Sequence, residues 1–377
     1  MTDGKPSIVV VSDVCGQGGG AYRVTTLVCR ALAALGADVT CFATWVEPGG
    51  LKKNEPFRIV RPWIQRGYRW DIPNRILAVQ AQLFIKRSQP QAVLVVGLTR
   101  VCGHLLAGPV ASRLLVWELT NADKSNKFVD PKAAKLIHRS RCILSPAASI
   151  DGGIRQTYDY TGSIQRLPFW IEDEALLYSQ PPVKFNSDFL FLARREDDKG
   201  LRELIQATAM LLGEFPHVRI QVGGPGTALQ YMKLANDLGV ASSIEFCSLP
   251  SRQDAMKTLA ATRYLVLPSY HEGYPLSLLE AAQLSIPFIA TDVGSIVETF
   301  GDCNACRMIP SRDATALYHV MKSCLLETDM DYAMRRKAAN RRFNELSSKL
   351  SVDSRLRQIV DHLSLSDVSS NQHQGKP

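Results

Sequence analysis

Short unbroken apolar runs alternate along the chain with longer stretches in which apolar residues recur every three or four positions. The first run, Ser7-Ile8-Val9-Val10-Val11-Ser12, has no polar face, the pattern of a strand covered on both sides. A glycine-rich turn follows, Cys15-Gly16-Gln17-Gly18-Gly19-Gly20. From Ala21 to Leu35, the residues Val24, Leu27, Val28, Ala31 and Leu35 share one helical face. Gly36 ends that helix, and 37–43 predicts the next strand. Strand, turn, helix, strand is the opening of a parallel α/β domain. Further strands are expected at 58–60, 92–96, 113–117 and 141–144, with amphipathic helices at 74–86 and 131–138.

Periodicity then fades. Pro168, the acidic Glu172-Asp173-Glu174 and Pro181-Pro182 have the composition of a linker. Beyond them the same alternation restarts, with strands expected at 189–193, 218–222, 244–246, 264–267 and 287–290. Helices are expected at 201–212, 231–238, 252–260, 275–283, 314–325 and, strongly basic, 330–346. The predicted organisation is therefore an α/β chain of two Rossmann-like parallel-sheet domains, 1–170 and 171–350. A final helix at 351–363 is expected to pack back on the first domain, and 364–377 is expected to be a polar, disordered tail. Open parallel sheets bind ligands at the carboxyl ends of their strands, so the two domains are expected to face each other across a cleft.

Composition narrows the class without choosing a chemistry. At 377 residues the chain exceeds one core, given about 150 residues per domain. Hydrophobic residues at 46% and charged residues at 21%, with 25 Gly and 20 Pro, exclude collagen and wholesale disorder. Runs such as Phe189–Ala193 fall far short of the roughly 20 residues of a membrane-spanning helix. The opening residues 1–6 lack the pattern of a secretory leader, so a cytoplasmic protein is expected. Forty-four Lys and Arg against 36 Asp and Glu leave +8, which suits a polyanion, an anionic membrane face or a phosphate-bearing small molecule. Nine cysteines, several inside apolar runs, are expected to be reduced thiols. Cys303 and Cys306 have CxxC spacing, but no second pair completes a zinc site.

Candidate chemistry starts at the glycine turns. Gly16, Gly18 and Ala21 satisfy G-x-G-x-x-A between a strand and a helix, where glycines admit a phosphate to the helix end. The second strand ends Thr40-Cys41-Phe42-Ala43-Thr44 without the acid that a dinucleotide ribose requires, which weakens a nicotinamide reading. No Gly-Lys-Ser/Thr follows the glycines, so a Walker-type ATPase is disfavoured. In the second half, Gly223-Gly224-Pro225-Gly226 closes one strand. Another strand leads through Pro268-Ser269-Tyr270-His271-Glu272-Gly273-Tyr274-Pro275-Leu276 into a helix. Pro275 is expected at its first helical position, and the N–H groups there are a seat for a diphosphate. Glu272 and Glu280 frame that seat. Glu280 stands among Leu278, Leu279, Ala281 and Ala282, so if buried it needs a partner. A carboxylate also matches the two hydroxyls of a ribose. Arg194 and Lys199, in the loop after the domain's first strand, supply a guanidinium fork and a mobile ammonium for a leaving diphosphate.

This ordered set resembles the retaining, nucleotide-sugar-dependent glycosyltransferases of family 4, with the GT-B fold. The matching pieces are Phe191-Leu192-Ala193-Arg194, Lys199-Gly200, Val222-Gly223-Gly224 and Glu272 with Glu280 at E-x7-E spacing. The run Pro287–Gly294 and Glu298 continue the likeness. The resemblance implies that the first domain serves the acceptor and the second the nucleotide-sugar donor. It implies that Arg194 and Lys199 bind the donor diphosphate, that Glu272 lies near the donor sugar, and that Glu280 holds the ribose. Gly18, Gly19 and Gly20 would lie near donor phosphates and acceptor, with Gly223, Gly224, His271, Gly273, Tyr274, Pro275 and Leu276 completing the donor site. Many family members carry a histidine after the fourth strand of the first domain. Here the stretch is Val116-Trp117-Glu118-Leu119-Thr120, and Glu118 takes that place as a fourth candidate catalytic residue beside Glu272, Lys199 and Arg194. After Gly294 the customary glycine is Ser295.

The expected reaction moves a hexose from a UDP- or GDP-linked donor to a saccharide or lipid-linked saccharide, in polysaccharide or glycoconjugate synthesis. No D-x-D motif follows a strand, so neither metal nor cofactor is expected, and the basic side chains would stabilise the departing diphosphate. A nucleotide-sugar epimerase, a phosphorylase or a non-catalytic nucleotide-binding protein would share the architecture. Between Arg58 and Arg75, five arginines interleave with Trp63, Tyr68 and Trp70. That segment is either a basic loop packed on the domain or a peripheral contact with anionic membrane on its inner face. No nucleic-acid-reading motif accompanies it.

Overall fold

In the computed structural model, the structure describes residues 5–16, 19–63, 71–97, 113–119, 133–171, 185–349 and 356–357. The chain divides into two compact units, Met1–Phe169 with Ser351–Pro377, and Trp170–Leu350. Each is a doubly wound parallel sheet.

The first unit holds β1 (Ser7–Cys15), α1 (Gly20–Ala34), β2 (Asp38–Val46), β3 (Arg58–Val60), α2 (Asp71–Ser88), β4 (Ala92–Val96) and β5 (Leu114–Trp117). It continues with α3 (Ala134–Arg139), β6 (Cys142–Ser145), α4 (Ala148–Tyr158) and β7 (Ile164–Arg166). Strand order is β3-β2-β1-β4-β5-β6-β7, all parallel, with Val10 beside Cys41 on one flank and Leu94 on the other. The unbroken apolar β1 is central because only a strand covered on both faces can bury Ile8, Val9, Val10 and Val11 together. Gly36 ends α1 with φ +93°, as the helix stop predicts.

The second unit holds β8 (Ser187–Leu192), a 3₁₀ turn (Asp197–Lys199), α5 (Leu201–Leu212), β9 (Ile220–Gly223), α6 (Leu229–Asp237), β10 (Ile244–Phe246), α7 (Arg252–Ala260) and β11 (Thr262–Leu267). Then come α8 (Leu276–Gln283), β12 (Phe288–Thr291), α9 (Ile296–Phe300), β13 (Cys306–Ile309), α10 (Ala314–Leu326) and α11 (Asp329–Lys349). The order is β10-β9-β8-β11-β12-β13, again all parallel. Phe189, Phe191, Tyr264, Val266 and Ile289 meet α5 and α10 in one core through Leu204, Ile205, Leu211, Leu317 and Met321. The sheet reverses direction of winding between β8 and β11, so the exits of those two strands form its switch point.

One local expectation needs correction. Pro275 is not the first helical residue of α8 but its N-cap, with φ −79° and ψ 99°. The extended ψ turns the incoming loop before the helix begins, and Leu276 becomes the first helical residue. The expected helix at 351–363 is described only at Leu356 and Arg357, which are helical, and the tail 364–377 lies outside the described residues. No helix among the described residues is long and apolar enough to cross a membrane.

Candidate active site

The second unit gathers its ionisable side chains at the β8–β11 switch point. Beyond β8 the backbone stays laced to its neighbours, with Ala193 N–H donating to the Gly223 carbonyl at 3.3 Å and Arg195 N–H to Pro225 at 2.8 Å. The Arg195 guanidinium donates to the carbonyls of Cys247, at 2.7 Å, and Gly226, at 3.3 Å, tying three strand exits together. Arg194 lies on the other side of the loop and pairs with Glu196 at 2.5 Å. It is partly exposed, and an ion pair that exposed contributes little to stability.

Lys199 closes the 3₁₀ turn, and that turn is fastened on both flanks. Asp197 accepts from the Tyr231 hydroxyl at 3.0 Å, while the Asp198 carbonyl accepts from Tyr270 N–H at 2.8 Å. Burial, helped by Asp197, pushes the Tyr231 phenol up to about 12. Gly200 follows at φ +70°, where a Cβ would stand 1.9 Å from the Pro268 carbonyl oxygen, so only glycine lets the two exits approach so closely.

This approach brings Lys199 to Glu272. The ammonium donates to Glu272 Oε1 at 2.6 Å and to the His271 carbonyl at 3.3 Å, and each side chain is only 12% exposed. The Ser269 hydroxyl donates to the same Oε1 at 2.7 Å. Thr291, the last residue of β12, donates in turn to the Ser269 carbonyl at 2.6 Å. Gly294 passes directly beneath, its φ of +58° and an imagined Cβ 1.9 Å from the Glu272 carbonyl leaving no space for a side chain. On Glu272, Oε1 thus takes two donors, and no hydrogen bond from the described residues reaches Oε2.

Gly273, Tyr274 and Pro275 lead from Glu272 into α8, which no side chain caps and whose first turn carries no acid. Its positive end therefore remains suited to an anion. Glu280, one turn further, is 6% exposed, and its partner is Arg252 of α7, whose guanidinium donates to Oε1 at 2.7 Å. Reasoning from the residues alone demanded a partner for this acid without finding it. The signal was available: Ser251 and Asp254 form a capping box that starts α7 at Arg252 and puts that arginine in its first turn. Ser269 and Thr291 were missed as well, because a hydroxyl at a strand exit carries no periodic mark. Tyr270 packs beside the site, donating to Glu203 at 2.5 Å with the Arg312 guanidinium 4.7 Å above its ring. Burial first, and Glu203 second, hold its phenol well above the usual range.

The structure brings together Lys199, His271 and Glu272, and places Gly223 and Gly224 at the neighbouring β9 exit. Glu118 and the glycine turn belong to the first unit. Glu118 follows β5 and is 2% exposed, with Oε1 accepting from Leu119 N–H at 2.9 Å. The glycine turn is clamped by Thr26 of α1, which accepts from Gly16 N–H at 3.1 Å and donates to its carbonyl at 2.9 Å. Gly19 caps α1 in an extended conformation and Gly20 begins it, while Gly18 lies outside the described residues. In the basic segment, Arg58 pairs with Asp38 at 2.8 Å and Trp63 is 95% exposed; residues 64–70 lie outside the described residues. Cys303 and Cys306 are free thiols directed at different acceptors, the Ala338 carbonyl and Met308.

Comparison with known proteins gives this geometry a class. Residues 180–341 match the family model described as Glycosyl transferases group 1, and that span contains the whole β8–β11 site. Both units have the Rossmann-like sheet of the GT-B fold, and residues 180–341 are similar to the group 1 glycosyltransferases. Among curated relatives, D-inositol 3-phosphate glycosyltransferase of Corynebacterium urealyticum is 27% identical over 152 residues, 38% of this chain and 36% of that protein. The enzyme of the same name from Streptomyces coelicolor is 30% identical over 160 residues, 40% of this chain and 35% of that protein. The chain thus spans about a third of the length of the curated relatives it matches. Solved structures extend the likeness in fold to nearly the whole chain. Sucrose-phosphate synthase from Thermosynechococcus elongatus superposes with a TM-score of 0.77 at 15% identity, covering 96% of this chain and 100% of that one. Anabaena Alr3699/HepE in complex with UDP and glucose gives 0.73 at 16% identity, covering 94% and 99%.

Proposed function

We propose that the chain is a retaining glycosyltransferase that moves a hexose from a UDP- or GDP-linked donor to a saccharide or lipid-linked saccharide acceptor in polysaccharide or glycoconjugate synthesis. The observation that carries this reading is the Lys199–Glu272 pair, 2.6 Å apart at the switch point beside the uncapped end of α8, inside the span that matches the glycosyltransferase model.

In this reading residues 171–350 bind the donor and 1–170 the acceptor. Arg194, Lys199 and the N–H groups opening α8 hold the diphosphate. As the anomeric bond breaks, its electron pair passes to the distal phosphate, and these groups stabilise the charge that develops there. Glu272 orients the donor sugar. Glu280 accepts from the ribose hydroxyls, sharing its oxygens with Arg252. His271, Gly273, Tyr274, Pro275 and Leu276, with Gly223 and Gly224, line the donor. Gly18, Gly19 and Gly20 serve donor phosphates and acceptor, and Glu118 serves the acceptor side of the reacting sugar. The incoming hydroxyl attacks the face that the diphosphate leaves, which preserves the anomeric configuration. Peripheral contact with anionic membrane belongs to the same reading, supported by the exposed Trp63 beside Arg58 and Arg61. A cytoplasmic place of work is supported by the eight described cysteines, all free thiols.

A thermal-shift panel of UDP-, GDP- and ADP-sugars tests the donor half, followed by an acceptor screen that includes D-inositol 3-phosphate, and by NMR of the product's anomeric proton. One nucleotide class is expected to raise the melting temperature, and the product to keep the donor's configuration. Glu280→Ala is expected to weaken nucleotide binding about tenfold, and Lys199→Ala mainly to slow transfer. A protein that no nucleotide or sugar nucleotide stabilises at millimolar concentration refutes the reading.

A further inference from the structure

We propose that Ser269 is a positioning residue for Glu272, the fixed donor that keeps this carboxylate in place when the Lys199 ammonium is drawn to a phosphate. The proposal rests on the transferase reading, and on the way two donors divide one oxygen.

Glu272 Oε1 accepts from Lys199 at 2.6 Å and from Ser269 at 2.7 Å. The two donors differ in kind. Lysine is a point charge at the end of a flexible stem with three protons to direct, and here it also serves the His271 carbonyl. A diphosphate carries more negative charge than one carboxylate, so it competes for that ammonium. Ser269 has a single short side chain, is fully buried, and cannot follow. Its carbonyl is held by the Thr291 hydroxyl at 2.6 Å, and the next residue, Tyr270, donates its N–H to Asp198 at 2.8 Å. The backbone under Ser269 is therefore pinned from β12 on one side and from the Lys199 turn on the other.

The consequence is a division of roles. Lys199 is exchangeable between carboxylate and phosphate, while Ser269 stays. With Oε1 anchored by Ser269, the Glu272 carboxylate keeps its plane and presents Oε2 toward the hydroxyls of a sugar. Lacking Ser269, the carboxylate loses its last side-chain donor at the moment the lysine moves, which is when orientation matters for transfer. Binding of the nucleotide itself draws on α8 and Glu280, not on Ser269. The loss thus falls on the chemical step.

The test uses the full chain and four proteins: wild type, Ser269→Ala, Thr291→Val and the double variant. Calorimetry measures affinity for UDP and for GDP, and steady-state assays measure transfer from the matching hexose donor. For Ser269→Ala, nucleotide affinity and KM are expected to stay within about threefold, while kcat falls about 10- to 100-fold, the loss of one hydrogen bond to a charged group. Thr291→Val, which keeps the shape of the side chain, is expected to lower kcat about 3- to 10-fold in the same pattern, because it loosens only the carbonyl of Ser269. The double variant is expected to be no slower than Ser269→Ala, since both act through one carboxylate. If Ser269→Ala does not fold, Thr291→Val carries the same comparison. An unchanged kcat in the folded variants overturns the proposal, as does a loss of nucleotide affinity equal to the loss of rate. Those results leave the transferase reading standing; a wild type that binds neither nucleotide and transfers no sugar removes both.

Discussion

Gly294 offers the sharpest test of how the second unit holds its carboxylate. Replacing it with alanine puts a Cβ at φ +58°, 1.9 Å from the Glu272 carbonyl oxygen and 2.8 Å from its carbon. The left-handed conformation alone costs about 1–2 kcal/mol for a non-glycine residue. A carbon and an oxygen approach comfortably to about 3.3 Å, so the Glu272 peptide must retreat by more than roughly 1 Å. Overpacking of that sort costs about 1–3 kcal/mol more, giving a total of about 2–5 kcal/mol. Gly239 is the built-in control: its φ is +70°, yet nothing lies within 4 Å of the imagined Cβ, so Gly239→Ala carries only the conformational cost. Urea midpoints of the two variants measure stability, and kcat for sugar transfer measures position. Gly294→Ala is expected to lose about 1–3 kcal/mol beyond Gly239→Ala, and about 100-fold in kcat, because an ångström of misplacement is felt by an orienting carboxylate. Equal losses in the two variants, in both measurements, would refute the claim that Gly294 fixes Glu272.

Two further outcomes follow from buried groups. Arg252→Ala leaves Glu280 without its guanidinium and is expected to cost about 3 kcal/mol in urea unfolding. Arg252→Ala combined with Glu280→Ala is expected to cost less than the two single changes added together, and simple additivity would argue against the pair. Burial pushes the Tyr332 phenol up to about 12, and its hydroxyl donates to the Arg263 carbonyl at 2.9 Å. The unfolded chain releases that proton near pH 10, about two units earlier, so the contribution is complete below pH 10 and is lost as pH rises toward 12. It is of the order of 2 kcal/mol, and Tyr332→Phe is expected to flatten the decline of the urea midpoint over that window.

Much of this architecture is legible because parallel strands leave so plain a trace. β1, β4 and the inner residues of β8 and β11 are apolar on both faces, so their existence needs no partner to be known. The elements that escape are those without such a mark. α4 carries Gly152 and Gly153 inside it, which interrupt the helical pattern, and its helix is held by Ile150, Ile154 and Tyr158 burying one face. β7 and β13 are short edge strands whose alternation spans too few residues to stand out, and α9 is little more than one turn. The candidate site divides the same way. Lys199, Glu272 and Glu280 announce themselves as charges in glycine-rich or apolar settings. Arg252 is separated from Glu280 by 28 residues of sequence and joined to it only by the packing of α7 beside α8. Which of the two adjacent arginines is laced into its neighbours, Arg195, and which pairs with Glu196, Arg194, is decided by contacts that no local pattern marks.

That last distinction has a practical edge. Arg195 is a rivet between loops through the Cys247 and Gly226 carbonyls, while Arg194 pairs with Glu196 on a partly exposed side of the turn. Shortening or lengthening this loop by one residue would carry the Arg195 guanidinium away from the carbonyls it ties. Protein engineers should therefore find the stability of this stretch tolerant of single replacements at Arg194, whose cost falls on donor binding instead, and intolerant of any change in its length.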